Sequence, residues 1–326
     1  MIDRLKQIPN LKAYLALITV CIAWGTTFPA MHIGLEFLTP DVLSAQRFTL
    51  AGLILLAICA VRREPLPSKI SVKRNFIIGT LLLFIGNAAT CWALQYIPTG
   101  LAAAIVAMNP FWMVFLAVVF PPRERVTLIG VTGLVIGFTG MMILLSPQLS
   151  QSTTGNVSPM FWFAIGTQLL TGLSWSIGTV YSKKAPAQAS VMMANGMQNL
   201  FSGVMLIPVC FLFNHNPFIM PSAPGAMSVL YLIVVGTLIG LNCYLYMMER
   251  LPVTAASTFA YITPIVTTIV GAVVLKEVVG WPQAIGMAVV LTGVGFTHMA
   301  RVFTGWFSKN APEGMLKPFR KLRGAA

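Results

Sequence analysis

Charge is what this chain of 326 residues has least of: Asp, Glu, Lys and Arg together make up 9% of it. A water-soluble domain carries about 25%. The deficit excludes a soluble globular protein, a disordered tail and a nucleic-acid module. Acids are scarcest, eight against 21 Lys and Arg, and there are three His. No metal or cofactor site is expected from so few ligands. The five cysteines (Cys21, Cys59, Cys91, Cys210, Cys243) all fall within apolar runs. They read as small packing residues, not as a disulfide framework or a zinc site. Long catalytic connections are missing too. The stretch 147–159 is rich in Ser, Thr and Gln and holds no acid, base or metal-ligand pair. A polytopic membrane enzyme needs such a cluster, so none is expected here.

What the chain has in quantity is apolar length: 57% of residues are hydrophobic. A membrane-crossing helix takes about 20 residues, and ten apolar runs can be marked. They cover 13–34, 42–61, 75–96, 100–120, 126–146, 160–181, 190–213, 225–248, 254–275 and 282–303. The first is long and nine more come after it, so it reads as a retained helix rather than a leader. Lys and Arg in short loops set orientation. Arg4, Lys6 and Lys12 precede the first run; Arg62, Arg63, Lys69, Lys73 and Arg74 follow the second. Arg123 and Arg125, Lys183 and Lys184, and Arg250 follow the fourth, sixth and eighth. The tail adds Arg301, Lys309, Lys317, Arg320, Lys321 and Arg323, while the opposite loops hold Lys276 alone. Both termini are therefore expected in the cytoplasm. The net charge of +13 is explained by contact with anionic membrane lipids, and no nucleic-acid partner is needed.

The two halves echo each other. Ala23-Trp24-Gly25 answers Ser174-Trp175-Ser176. Trp24 to Arg47 is 23 residues and Trp175 to Gln198 is also 23; Trp24 to Gly52 and Trp175 to Gly203 are both 28. Pro98 and Pro252 are each followed 12 residues later by a second proline, Pro110 and Pro264. Five runs per half is an odd number, so the second half must lie upside down relative to the first. The expected fold is all-α and polytopic: ten transmembrane helices as two inverted five-helix repeats, 13–146 and 160–303, followed by a basic cytoplasmic tail, 304–326. Inverted repeats of this kind build secondary transporters, with the substrate site at their interface. A matched pair of mid-span prolines, Pro110 and Pro264, suits gating.

These residues resemble the EamA family of the drug/metabolite transporter superfamily. The resemblance rests on Ala23-Trp24-Gly25-Thr26, Arg47-Phe48, Pro98-Thr99-Gly100-Leu101-Ala102, Tyr261-Ile262-Thr263-Pro264, and Lys276-Glu277 followed by Gly286 and Gly293. It implies a bacterial inner-membrane location and a ten-helix carrier without cofactors that exports small metabolites, amino acids or related compounds, by alternating access; the alternative is an exporter of drugs and toxic compounds. The chain departs from the family pattern in its first half, where Pro121 stands nine residues before Gly130 and Glu124 is displaced.

None of the eight acids lies mid-span. A proton-coupled exporter of cationic drugs needs a buried carboxylate, so a cation/proton antiporter is not expected. Arg47 is the intramembrane charge, either a counter-charge for a substrate carboxylate or a partner of backbone carbonyls. Recognition then falls to polar and aromatic side chains: Trp24, Thr26, Asn87, Asn109, Trp112, Trp175, Tyr181, Asn242, Tyr246 and Tyr261. Mid-span amides need partners or a wet cavity, and rings beside amides suit a small zwitterionic or aromatic substrate. Each of these side chains has packing between helices as its competing reading. Glycine seams at Gly130, Gly133, Gly137 and Gly140, and at Gly286, Gly293 and Gly295, allow close helix approach within a monomer or in a homodimer.

Overall fold

The computed structural model describes residues 10–97, 102, 105–106, 109–120, 128–153, 158–184, 189–256, 258–274, 280–282, 284–293 and 295–296. The tail 304–326 lies outside these, as do Pro98, Lys276, Glu277 and the first-half loop with Glu124. Among the described residues the regular structure is helical throughout. We label the helices α1 (Leu11–Leu35), α2 (Pro40–Val61), α3 (Lys69–Ala93), α4 (Asn109–Val119) and α5 (Leu128–Thr153). They continue as α6 (Pro159–Lys184), α7 (Val191–Leu212), α8 (Ala223–Arg250), α9 (Phe259–Val274) and α10 (Ala284–Gly293), with a single turn at Val253–Ala256 before α9. Five of them, α1, α2, α3, α7 and α8, are long and apolar enough to cross a membrane.

Local chemistry fixes several ends. Ser68 Oγ accepts the Ser71 N–H at 3.2 Å, and Ser190 Oγ accepts that of Met193 at 3.0 Å. Both are side-chain N-caps. The Ser68 cap starts α3 at Lys69, six residues before the apolar run suggested, because the helix carries Lys69, Lys73 and Arg74 on its first turns. Pro40 opens α2, where its missing N–H costs nothing.

The surface is apolar and the interior holds polar groups. Leu15, Ile18 and Ile22, on one stripe of α1, are 52%, 55% and 55% exposed. Asn75, Asn195, Gln198 and Asn199 are buried. That inversion fits lipid as the surrounding solvent. The buried amides pair across helices: Gln198 Nε2 donates to Asn75 Oδ1 at 2.8 Å, and Ser202 Oγ donates to the Gly79 carbonyl at 3.0 Å.

Packing runs between the two halves of the chain. α1 lies against α8 and α9, α6 against α3 and α4, α7 against α3, and α2 against α8. α2 and α7 make the most extensive contact, and it is reciprocal. A Cβ on Gly52 would fall 2.7 Å from Leu200 Cα, and one on Gly203 would fall 2.8 Å from Thr49 Cα. Only glycine permits either approach.

One feature was not visible in the sequence. α3 widens into a π-helix over Thr80–Ala88, and α8 does the same over Leu232–Leu241. A π stretch shifts the carbonyl ladder and is common at functional sites. Side chains from the opposite half take up some of these carbonyls. Ser174 Oγ donates to Leu81 O at 2.9 Å, and Trp24 Nε1 donates to Gly236 O at 3.1 Å. Within the second half, Asn195 Nδ2 donates to Thr237 O at 3.3 Å.

Candidate substrate cavity

The two π stretches face one internal cavity of about 90 Å³. α1 contributes Trp24, Thr27, Phe28 and Met31; α3 contributes Leu83, Gly86, Asn87 and Thr90; α8 contributes Gly236, Thr237 and Leu241. Asn109 of α4, Thr171, Gly172 and Trp175 of α6, and Phe259, Ala260, Thr263 and Pro264 of α9 complete much of the wall, with Arg47 entering from α2. Glycine is needed where rings cross the wall. A Cβ on Gly86 would stand 3.2 Å from Trp175 Cε3, and one on Gly240 would stand 2.9 Å from Trp24 Cδ1.

Four rings cap one end of the space. Trp24 meets Trp175 edge to face at 5.4 Å between centroids, Tyr244 at 5.0 Å and Phe259 at 5.2 Å. Trp175 lies 5.5 Å from Tyr244 and donates its indole N–H to the Tyr244 hydroxyl at 3.1 Å; Thr179 also bonds that hydroxyl. Lining positions run from Trp24 toward the C-terminus of α1, and stop at Trp175 on α6 and Leu241 on α8. The aromatic layer therefore closes the cavity toward the start of α1 and the ends of α6 and α8. Beyond it, Arg74 Nη2 donates to Ser182 O at 2.7 Å and Lys183 Nζ to Leu251 O at 3.1 Å, tying α3, α6 and the end of α8 together. At the opposite end Gln46 Nε2 donates to Ile219 O at 2.7 Å, and Asp41 Oδ2 pairs with His215 Nδ1 at 2.8 Å.

Polar valence inside is concentrated. Thr27 and Thr263 spend their hydroxyls on carbonyls of their own helices, Trp24 O and Phe259 O, each at 2.8 Å. Arg47 Nη1 donates to Asn87 Oδ1 at 3.3 Å. Arg47 Nε and Asn109 Oδ1 are buried without partners.

Of the residues singled out from sequence, Trp24, Arg47, Asn87, Asn109, Trp175 and Pro264 meet at this cavity. The others lie elsewhere. Thr26 points to α8, accepting from Tyr231 Oη at 2.7 Å. Tyr261 is buried against α5, its hydroxyl 3.3 Å from Leu134 O and its ring against Gly137. Asn242 and Tyr246 line a separate groove with Lys12 and Met192. Asn242 Nδ2 turns back to Leu238 O at 2.7 Å, and the Tyr246 ring carries Arg250 at 3.8 Å. Trp112 is half-buried and does not border the cavity, although it shares a face of α4 with Asn109 in an ideal helix. Tyr181 is 38% exposed near the end of α6. Pro110 stands in helical backbone, with Ile105 and Val106 helical before it. Sequence reasoning passed over Tyr244 and Phe259. For Tyr244 a signal existed: it follows Leu241 by three and Thr237 by seven, one helical stripe.

The EamA-like transporter family matches residues 11–146 and 162–299. The uncharacterised inner membrane transporter YedA of Escherichia coli K12 is 31% identical over 257 residues, which cover 78% of this chain and 80% of YedA. The Bacillus subtilis transporter YvbV is 25% identical, with 89% of this chain and 92% of YvbV covered. The chloroplastic WAT1-related protein At3g02690 of Arabidopsis thaliana is 27% identical, with 85% of this chain and 67% of that protein covered. A crystal structure at 20% identity shares the fold, with a TM-score of 0.73 over 89% of this chain and 98% of its own. The family and these relatives are named as transporters and not as enzymes. The chain belongs to the EamA-like transporter family and is a multi-pass membrane transporter.

Proposed function

We propose that this protein is a secondary carrier of small metabolites, amino acids or related acids, working by alternating access. The observation that carries the reading is the cavity itself, walled by helices of both halves and capped by the matched pair Trp24 and Trp175. Ten spans in two inverted repeats are supported by reciprocity. Gly52 against Leu200 answers Gly203 against Thr49, and Gly86 under Trp175 answers Gly240 under Trp24. Cytoplasmic termini are supported by the basic loops, and in that orientation the aromatic layer lies on the cytoplasmic side of the cavity. The carrier then releases or takes up substrate on the far side, and crossing requires the four rings to part. Export is the direction that the family resemblance implies.

Size and charge favour metabolites over drugs. A cavity of about 90 Å³ is smaller than the roughly 150 Å³ engineered cavity that holds benzene. The lining contains no acid among the described residues, so nothing there would attract a cationic drug. The test is to compare metabolites inside and outside cells with and without the protein, then to measure counterflow of the enriched compounds in proteoliposomes. Enrichment without protein-dependent counterflow of any of them would overturn the reading.

A further inference from the structure

Arg47 is the charged residue of the cavity wall among the described residues. It is 6% exposed. Its one hydrogen bond goes to a neutral acceptor, Asn87 Oδ1, at 3.3 Å. Nε is buried and bonds nothing. Nη2 is pressed toward α8, where a Cβ on Gly236 would stand 2.8 Å away, so Gly236 leaves the room that the guanidinium occupies. The acid on the same helix, Asp41, is committed to His215. Backbone carbonyls, the structural alternative for a buried arginine, do not hold this one.

A buried cation without an anion is costly, and the cost is removed by whatever anion can reach it. A guanidinium offers a planar fork that matches a carboxylate. Charge balance then sorts the guests. A net anion neutralises the wall, a zwitterion leaves one positive charge in place, and a cation adds to it. On α4, Asn109 Oδ1 is an unpartnered buried acceptor, which suits an O–H or N–H on the same guest.

Within the carrier reading above, we propose that the cavity binds a small organic carboxylate bearing a hydroxyl or amide. Its carboxylate is received by Arg47, and Asn87 holds the guanidinium in place. Selection is for net negative charge, which narrows the metabolite class to organic acids and leaves free amino acids as the poorer guests.

The test uses purified full-length protein in detergent, with thermal unfolding as the readout. The probes are small hydroxycarboxylates: glycolate, lactate and 2-hydroxybutyrate. Each is compared with its amide, its amino-alcohol counterpart and its α-amino acid at constant ionic strength. At least one carboxylate should raise the unfolding temperature saturably and more strongly than its three counterparts. Arg47→Gln should weaken its apparent Kd by at least about tenfold, the cost of losing a charge-assisted hydrogen bond. Gln198 occupies the matched position of the other half, so glutamine is a mild replacement. Asn87→Asp guards against a folding failure: it sets an internal carboxylate beside Arg47 and should abolish the response in a well-folded protein. The proposal is overturned if no hydroxycarboxylate stabilises the parent, if the response survives in Asn87→Asp, or if the amino acids bind more tightly than the carboxylates. The last outcome leaves the carrier reading standing; absence of protein-dependent flux for every metabolite tests that reading separately.

Discussion

Trp24 and Trp175, which hold matching places in the two halves of the chain, meet edge to face with centroids 5.4 Å apart and planes at 85°. Their indole N–H groups go to different partners, Trp24 to the π-helical carbonyl of Gly236 and Trp175 to Tyr244 Oη. The pair is thus both the floor of the cavity and a tie between halves.

Trp175→Ala is expected to leave membrane expression near the parental level and to lower initial counterflow by at least about tenfold. An aromatic contact and one hydrogen bond are lost, together worth more than the roughly 1.4 kcal/mol that a tenfold rate change represents. Parental flux would assign Trp175 to packing alone.

Gly52→Leu and Gly203→Leu should each destabilise the protein by roughly 1–3 kcal/mol or more, as overpacking does. Detergent-solubilised variants should unfold at lower temperature and lose monodispersity on gel filtration. Gly166→Ala is the control, since a Cβ there meets nothing within 4 Å. It should match the parent or exceed it slightly, because alanine restricts the unfolded chain. Equal behaviour of Gly52→Leu and the control would contradict the close crossing.

Cysteine labelling tests orientation. In a background lacking the five native cysteines, an impermeant thiol reagent added outside should modify a cysteine at the exposed position Asn216 and spare one at Ser68. Labelling at Ser68 from outside would reverse the assignment.

Flux is expected to need no proton gradient and to vary little between about pH 6 and 8, the range where histidine titrates. No acid or histidine lines the cavity among the described residues. His32 is exposed, and His215 sits in the Asp41 pair at the far end. Concentrative transport driven by an imposed pH gradient would refute this, and Asp41→Asn would then be the first variant to make.

Most helices were legible because membrane solvent is demanding. Every backbone group must be bonded internally, so apolar length alone located α1, α2, α7 and α8 to within a few residues. The polar part of the cavity wall was partly legible for a related reason: mid-span amides and a mid-span arginine are costly anywhere but at a site or an interface. That argument cannot tell the two apart. Asn87 and Asn109 reached the cavity, whereas Asn242 bonds Leu238 O. The π stretches were illegible, because Thr80–Ala88 and Leu232–Leu241 have ordinary apolar sequences. The wider turns are favoured by partners such as Ser174 and Trp24, far away in the chain. Tyr244, three residues after Leu241, joins the aromatic layer, whereas Tyr246 lines the separate groove.

The crossing of α2 and α7 restricts how the two halves can move. Each helix presents a single hydrogen where the other brings its backbone, at Gly52 and at Gly203. Sliding by one helical turn would replace Gly52 with Phe48 or Leu56 and Gly203 with Asn199 or Ile207, and none of these fits between two backbones. Translation is blocked, while rotation about the contact is not. Of the rigid-body motions open to the two halves, tilting about this crossing is the one that the close contact at Gly52 and Gly203 leaves free.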